Sequence, residues 1–208
     1  MKGLFITFEG PEGAGKSTQA QMLADWYRQK GREVVLTREP GGTELGVELR
    51  RLILSCPMQP ETEFLLYSAD RAEHAATVIR PALARGAVVI CDRWLDSSLA
   101  YQGYGRGLPL DWLEAVSRGF LGDLRPRLTF LLKISPRLGL WRARHRRASK
   151  EADRFEAEEL AFHQRVLDGF LELAKREQDR FVVQDVEKPY AEVVQRQLRR
   201  ELESRGLV

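Results

Sequence analysis

The chain has 208 residues, the usual length of one domain, of which 43% are hydrophobic and 30% charged. These fractions are typical of soluble globular proteins and argue against a disordered, collagenous or membrane-spanning chain. The 33 basic and 30 acidic residues leave a net charge of only +3, which gives little support to a nucleic-acid-binding surface.

Apolar, β-branched runs alternate with helical stretches along the chain. The apolar runs predict buried strands at residues 4–8, 33–37, 87–91, 128–134 and 180–184. The stretches between them predict helices at residues 16–30, 46–54, 61–85, 111–121, 136–147, 156–177 and 191–204. This alternation predicts an α/β fold with a five-stranded parallel sheet covered by helices on both faces. Ligands of such sheets bind beyond the carboxyl ends of the strands.

A glycine-rich segment joins the first predicted strand to the first predicted helix. Residues 10–17 read G-P-E-G-A-G-K-S and fit the pattern G-x-x-x-x-G-K-[ST], whose backbone N–H groups surround phosphate oxygens at a helix N-terminus. We expect Lys16 to reach the β- and γ-phosphates and Ser17 to ligate Mg²⁺. The residues predicted to bind ATP are Gly10, Pro11, Glu12, Gly13, Ala14, Gly15, Lys16, Ser17 and Thr18. The pattern, in this context, indicates a protein that binds a nucleoside triphosphate.

The strand at residues 87–91 is followed directly by Asp92 and Arg93. An acid at this point is typical of a strand that holds Mg²⁺ directly or through water; the alternative is a helix N-cap. Arg93 favours a second, phosphate-bearing substrate, with simple pairing to Asp92 as the alternative. The chain contains no asparagine, so it lacks the Asn-Lys-x-Asp motif of a regulatory GTPase.

Further motifs extend over most of the chain. They are T-R-E-P-G-G-T at 37–43, F-L-L-Y-S-A-D-R at 64–71, D-R-W at 92–94, S-S-L-A-Y-Q-G at 97–103, R-A-R-H-R at 142–146 and D-R-F-E at 153–156. With the phosphate loop, these motifs resemble those of the thymidylate kinase family, bacterial type. The resemblance implies a P-loop NTPase fold, with residues 1–208 as one nucleoside monophosphate kinase domain. It also implies Mg²⁺-dependent transfer of the γ-phosphoryl group of ATP to dTMP, giving dTDP and ADP, a step in dTTP synthesis.

The resemblance also assigns the acceptor site. Arg38 and Arg93 are expected on the dTMP phosphate, and arginine suits this role because its planar fork binds phosphate bidentately. The family's acid that meets the sugar 3′-hydroxyl matches Glu12. The remaining matches are Tyr67 stacking on thymine, Arg71 on thymine O4, Ser98 and Gln102 on the thymine edge, and Tyr101 against the deoxyribose.

An arginine-rich lid over about residues 142–155 is the last feature that the resemblance implies. Eukaryotic relatives carry an arginine where this chain has Gly13, so the transition-state cation is expected from the lid. Which lid arginine is catalytic stays open. The full set of residues predicted to be catalytic is Lys16, Asp92, Arg93, Arg142, Arg144 and Arg146, with Ser17 and Asp92 as metal ligands.

Location and partners complete the expectations. Cys56 and Cys91 show neither metal nor redox spacing, the apolar run at 4–8 is too short for a signal peptide, and no stretch reaches the ~20 apolar residues of a membrane helix. We therefore expect a cytoplasmic protein without membrane or nucleic-acid partners, and by resemblance a homodimer through helices 46–54, 61–85 and 111–121.

Two other functions stay open at this point. One is another nucleotide or deoxynucleoside kinase on the same scaffold, which would leave Arg38 and Arg93 without an acceptor phosphate. The other is a nucleic-acid-dependent P-loop ATPase, suggested by the pI of about 9.0. The three histidines, His74, His145 and His163, share no metal spacing and are interpreted as structural or surface residues.

Overall fold

A five-stranded parallel sheet forms the centre of the structure, a computed structural model that describes residues 3–146 and 154–208, with Arg146 described by its backbone alone. The strand order is β2-β3-β1-β4-β5. The strands are β1 (Leu4–Glu9), β2 (Val34–Arg38), β3 (Val88–Asp92), β4 (Leu128–Lys133) and β5 (Phe181–Asp185). The predicted fold class is thereby confirmed, and each predicted strand lies within a residue of its observed position.

Helices cover both faces of this sheet. They are α1 (Lys16–Gln29), α2 (Glu44–Ser55), α3 (Pro60–His74), α4 (Arg80–Ala84), α5 (Leu95–Ser98), α6 (Leu110–Leu121), α7 (Pro136–Arg146), α8 (Leu160–Arg176) and α9 (Ala191–Ser204). A π-helical segment, Ala75–Ile79, joins α3 to α4, so the helix predicted over 61–85 is one helical run with a wider turn before Pro81. No helix among these described residues is both long and apolar enough to cross a membrane.

Alternation along the strands divides the core between the two faces of the sheet. Ile6 and Phe8 of β1 pack in the cluster that contains buried residues of α1 and α9, whereas Phe5 packs in a cluster with α4. In the same way, Ile90 faces the first cluster and Val89 the other. Side chains of successive strand residues point to opposite faces, so this pattern follows from a sheet that is buried on both sides.

One helical segment is absent from the sequence prediction. The chain turns after β3 into α5, which continues as a π-helical segment, Leu99–Gly105. The apolar residues of this stretch do not recur with a helical period. Gly103 and Gly105 permit the close packing instead, because a Cβ at either position would lie within 3 Å of Leu110 or Phe162.

The register of the sheet brings three strand ends together. Arg38 of β2 and Phe8 of β1 both pair with Asp92 of β3, and Glu9 follows Phe8 directly. The carboxyl ends of β1, β2 and β3 therefore form one edge, from which the phosphate loop and the 95–105 segment continue. Ligand sites of parallel sheets lie at such an edge.

Candidate active site

A cavity opens at the carboxyl edge of the sheet and collects most of the predicted site. Its lining includes Glu12, Gly13, Lys16, Ser17, Arg38, Tyr67, Arg71, Asp92, Arg93, Ser98, Tyr101 and Gln102. These residues come from four separate segments of the chain, which the fold brings to one place. Gly10, Pro11, Ala14, Gly15 and Thr18 lie in the phosphate loop and the start of α1 but do not line this cavity.

The phosphate loop closes on itself through Lys16. Its Nζ atom donates to the carbonyl oxygens of Gly10 (2.9 Å) and Pro11 (2.7 Å), and the side chain is buried. Burial, with the nearby charge of Arg93, lowers the pKa of Lys16 to about 8. A cation held at the cavity wall in this way is placed to meet phosphate oxygens.

Ser17 and Asp92 provide adjacent oxygen atoms on the cavity wall. The Ser17 hydroxyl donates to Asp92 Oδ2 at 2.5 Å, across the first turn of α1 and the end of β3. Mg²⁺ binds oxygen ligands and is usually held by one or two protein groups together with substrate phosphates. The described residues contain no cluster of three or more His, Cys, Asp or Glu side chains that would form an all-protein metal site. A hydroxyl and a carboxylate side by side fit the partial coordination that Mg²⁺ takes in nucleotide sites.

Arg93 is the centre of a half-buried cluster of polar side chains. Its guanidinium donates to the Gly10 carbonyl oxygen (3.0 Å), Glu12 Oε1 (3.1 Å), Ser97 Oγ (3.1 Å) and the Tyr101 hydroxyl (3.2 Å). Within the described part of the chain it alone combines a side chain with a positive φ, 74°. Such a backbone costs on the order of 1–3 kcal/mol and persists where surrounding contacts impose it. Arg93 thus pairs with Glu12, whereas Asp92 pairs with Ser17.

Glu12 is held as an anion by its neighbours. The Tyr101 hydroxyl lies 2.7 Å from both of its carboxylate oxygens, and His163 Nδ1 lies 3.7 Å from Oε2. Burial by itself would raise the pKa of Glu12, but His163, Arg93 and Lys16 outweigh it and lower the pKa to about 2. His163, interpreted from sequence as structural or surface, is therefore a buried neighbour of the site.

Glu9 is a buried carboxyl that the sequence analysis did not select. It ends β1, where Oε1 accepts from the Trp94 backbone N–H (2.7 Å) and Oε2 from the Ser97 hydroxyl (2.5 Å). Burial and the charge of Asp96 raise its pKa to about 8. These contacts attach the residues that follow β3, including Arg93, to the end of β1.

A second buried network lies beside the cavity residues Arg71 and Ser98 and is centred on Glu39. Its two carboxylate oxygens accept from Arg71 Nε (2.8 Å) and His74 Nδ1 (2.9 Å). Arg71 Nη2 donates to Ser98 Oγ (2.9 Å), and His74 Nε2 lies 2.7 Å from Thr37 Oγ1. His74 is thus structural, as expected, whereas Glu39 was missed although it lies within the T-R-E-P-G-G-T motif.

Arg38 and Tyr67 border the opening between these networks. Arg38 is exposed at the end of β2, at the same edge as Asp92, and Tyr67 lies half-buried on α3 near Phe155 (6.4 Å between ring centres). Arg50 also lines the cavity, and its Nη1 donates to the Pro40 carbonyl oxygen (2.9 Å). Cations and an aromatic ring therefore line the cavity together.

Two arginines of the predicted lid, Arg142 and Arg144, do not line the cavity. Arg142 donates to the carbonyl oxygens of Val186 (2.9 Å) and Glu187 (2.8 Å), after β5, and Arg144 is exposed. The side chain of Arg146 and residues 147–153 of the predicted 142–155 lid lie outside the described residues. Ala143 and Phe155, on either side of that gap, line the cavity.

Comparisons with known proteins agree on one family. The family model for thymidylate kinase matches residues 8–197. The thymidylate kinase of Deinococcus radiodurans is 51% identical over 194 residues, which cover 92% of this chain and 93% of the relative. The thymidylate kinase of Gloeobacter violaceus is 55% identical over 175 residues, which cover 83% and 82%.

A solved structure extends the similarity to the fold. The crystal structure of thymidylate kinase from Ehrlichia chaffeensis matches with a TM-score of 0.80 at 32% identity and covers 96% of this chain and 98% of its own. The sheet and the elements around it are thus shared with a thymidylate kinase over nearly the whole chain.

Proposed function

The chain belongs to the thymidylate kinase family, and we propose that it uses the cavity described above to transfer the γ-phosphoryl group of ATP to dTMP, giving dTDP and ADP. The observation that carries this proposal is the convergence of Lys16, Ser17 and Asp92 with Arg38 and Arg93 at one edge of the sheet. Such a site has cations for two phosphate groups. The two alternative functions, another nucleotide kinase and a nucleic-acid-dependent ATPase, are not favoured by the relatives.

The phosphate loop and the residues beside it form the site for the phosphoryl donor, ATP. Phosphoryl transfer asks a protein mainly for positioning and for neutralisation of charge. Lys16 meets the β- and γ-phosphates when its Nζ leaves the loop carbonyls, and Ser17 and Asp92 would hold Mg²⁺. When bound, Mg²⁺ neutralises the charge that develops on the phosphate oxygens.

Arg93 and Arg38 form the site for the phosphoryl acceptor, dTMP. Arg93 lies between the loop carbonyl of Gly10 and Glu12, so it is placed between the donor and acceptor groups. Arg38 binds the acceptor phosphate from the end of β2. Glu12 takes the sugar hydroxyl, and Tyr101, whose hydroxyl Glu12 binds, fills the space beside the sugar.

Base recognition falls to Tyr67, Arg71, Ser98 and Gln102, which together form what we call the base end of the cavity. Arg142, Arg144 and Arg146 stay candidates for the transition-state cation. A cytoplasmic location also belongs to the proposal, and it is supported by two cysteines, Cys56 and Cys91, that form no disulfide.

A panel of acceptors tests the proposal. With MgATP, we expect rapid phosphorylation of dTMP to dTDP. We expect no phosphorylation of thymidine, because thymidine lacks the phosphate that Arg38 binds. Arg38→Ala should raise the KM for dTMP at least about tenfold and leave the KM for ATP unchanged, since a charge-assisted phosphate contact contributes about 1.5–3 kcal/mol. Phosphorylation of thymidine, or an effect of Arg38→Ala on ATP alone, would contradict the assignment.

A further inference from the structure

Gln102, one of the residues at the base end of the cavity, is held by a buried carboxylate that lies behind it. Its Nε2 donates to Glu63 Oε1 at 2.7 Å, and Glu63 on α3 has no exposed surface. Glu63 does not itself line the cavity. It therefore does not contact a ligand directly, and Gln102 is the cavity residue to which it is hydrogen-bonded.

The other partners of Glu63 fix its role as a hydrogen-bond acceptor. Arg106 Nη2 lies 3.3 Å and Arg154 Nη2 lies 2.5 Å from its Oε2 atom. Arg106 Nε also lies 3.5 Å from Oε1, so both oxygens of the ionised carboxylate accept, and the shortest contact of Oε1 is the one with Gln102. The amide of Gln102 must therefore turn its NH₂ group toward Glu63.

The opposite end of that amide is left for a ligand. Gln102 lines the cavity, and its hydrogen bond to Glu63 uses only Nε2, so Oε1 is the end of the amide that faces away from the carboxylate. The Glu63 carboxylate thus makes the cavity wall an acceptor at this point, because an amide that gives its donor to one side presents its carbonyl to the other.

Arg71 supplies a donor close to this acceptor. Its Nε is taken by Glu39 and its Nη2 by Ser98, whereas its Nη1 is buried and has no partner in the described structure. Ser98 precedes Gln102 by about one turn of the 95–105 helical segment, and Arg71, Ser98 and Gln102 all line the cavity. The wall therefore presents a donor beside an acceptor.

This pair matches one class of pyrimidine. Thymine and uracil present the O4 acceptor beside the N3–H donor, whereas cytosine presents an amino donor beside the N3 acceptor. We propose that Glu63 is a positioning residue that makes the enzyme select thymine-type over cytosine-type monophosphates, by fixing the orientation of the Gln102 amide. The inference rests on the proposed function and names the group that gives it base specificity.

Glu63→Gln tests the inference because it changes one oxygen to NH₂ without changing size. The remaining carbonyl of the variant stays with Arg106 and Arg154, so its NH₂ faces Gln102. The Gln102 amide then turns over and presents NH₂ to the cavity. We expect the ratio of kcat/KM for dTMP to that for dCMP to fall at least about tenfold, since the turned amide loses a buried hydrogen bond to thymine and gains one to cytosine. The KM for ATP should not change.

Two controls separate positioning from general damage. Arg106→Gln disturbs the same ion cluster but keeps the carboxylate that faces Gln102, so it should lower thermal stability and leave the dTMP-to-dCMP ratio unchanged. In a Gln102→Leu background, Glu63→Gln should have no further effect on the ratio. Should Glu63→Gln fail to fold, the double variant with Arg106→Gln restores the balance of charge and takes its place.

The outcomes are distinct. A wild-type chain that does not phosphorylate dTMP defeats the proposed function itself. A wild-type chain that does, together with a folded Glu63→Gln variant that keeps the full dTMP-to-dCMP ratio, overturns the role of Glu63. If Arg106→Gln lowers the dTMP-to-dCMP ratio as much as Glu63→Gln does, the role of Glu63 is also overturned, because the effect would then come from the ion cluster.

Discussion

Glu9 shows how a single buried carboxyl makes folding depend on pH. In the folded chain its pKa is raised from 4.5 to about 8 by burial and by Asp96, so the carboxyl carries a proton at neutral pH. In the unfolded chain it is ionised at the same pH. Folding therefore takes up a proton at this residue, and the stability that it contributes is present below the unfolded pKa and is lost as pH rises through the folded pKa.

We expect Glu9→Gln to remove this loss, because the amide of the variant keeps the contacts with Trp94 and Ser97 but does not titrate. The free energy of unfolding of the wild type should fall relative to that of the variant from about pH 5 to about pH 8, by up to about 1.4 kcal/mol per pH unit. Denaturant unfolding at several pH values measures the difference. Glu203→Gln, at an exposed carboxyl, is the control and should follow the wild type. Parallel curves for wild type and Glu9→Gln would contradict the raised pKa.

Among single residues, sequence patterns predict those whose roles follow from local spacing. Lys16 and Ser17 belong to a motif whose loop geometry is local, and Asp92 follows a strand that is evident from its apolar residues. Glu63 has no such signal. In the sequence it is an acid in the first turn of a helix, a position that the helix dipole favours on any surface. Only the fold brings Arg106 and Arg154, 43 and 91 residues away, onto its carboxylate.

At the scale of elements, α7 packs directly on the phosphate loop through two glycines. A Cβ at Gly139 would lie 2.4 Å from the carbonyl oxygen of Glu12, and one at Gly13 would lie 2.0 Å from that of Gly139. Gly13 also has φ of 69°, which favours glycine. An arginine at position 13, as in eukaryotic relatives, is therefore incompatible with this packing. The helix that carries Arg142 and Arg144 takes the space instead.

We expect Gly139→Ala to disturb ATP binding more than dTMP binding, because α7 contacts the backbone of the phosphate loop, whereas only the side chain of Glu12 serves the acceptor. The added methyl group must push α7 away from the loop, and such overpacking costs about 1–3 kcal/mol. If that cost falls on ATP binding, the KM for ATP rises about 5- to 150-fold, and the loss of dTMP affinity measured by titration calorimetry is smaller.

Gly119→Ala is the matched control for this substitution. Gly119 also lies within a helix, α6, but a Cβ there meets nothing within 4 Å. It should leave both substrates unaffected and stabilise the helix slightly. Wild-type ATP kinetics in Gly139→Ala would show that the contact between α7 and the loop is not needed for binding.

The 95–105 segment is a helical element that the sequence pattern does not predict. Long helices such as α8 and α9 have a periodic apolar face, and the predictions over 156–177 and 191–204 locate them within a few residues. The segment after β3 has no such face, because it is packed on several sides, by α6 and α8 among others. Its residues Ser98, Tyr101 and Gln102 were selected through the family resemblance, not through a predicted helix.

For the whole molecule, exposed apolar side chains collect on α2, α3 and α6. Leu45 and Leu52 lie seven residues apart on α2, hence on one face, and are 52% and 37% exposed. Leu65 on α3 is 49% exposed, and the partly exposed Trp112 on α6 packs against Phe64 of α3 (5.2 Å between ring centres). Since α2 packs on α3 and α3 on α6, these side chains form the apolar surface that the proposed homodimer would bury.

Light scattering on the wild type and on two variants, Trp112→Glu and Tyr190→Glu, tests this assembly. A dimer has a mass of about 48 kDa, twice the 23.8 kDa of one chain. Trp112→Glu places a charge within the proposed interface, where it would lose its hydration, so the mass should fall to that of one chain. Tyr190→Glu makes the matched change at an aromatic residue that is 82% exposed outside α2, α3 and α6, and should leave the dimer intact. A wild-type mass of one chain at micromolar concentration, or dissociation by Tyr190→Glu alone, would place the apolar surface of α2, α3 and α6 outside any dimer interface.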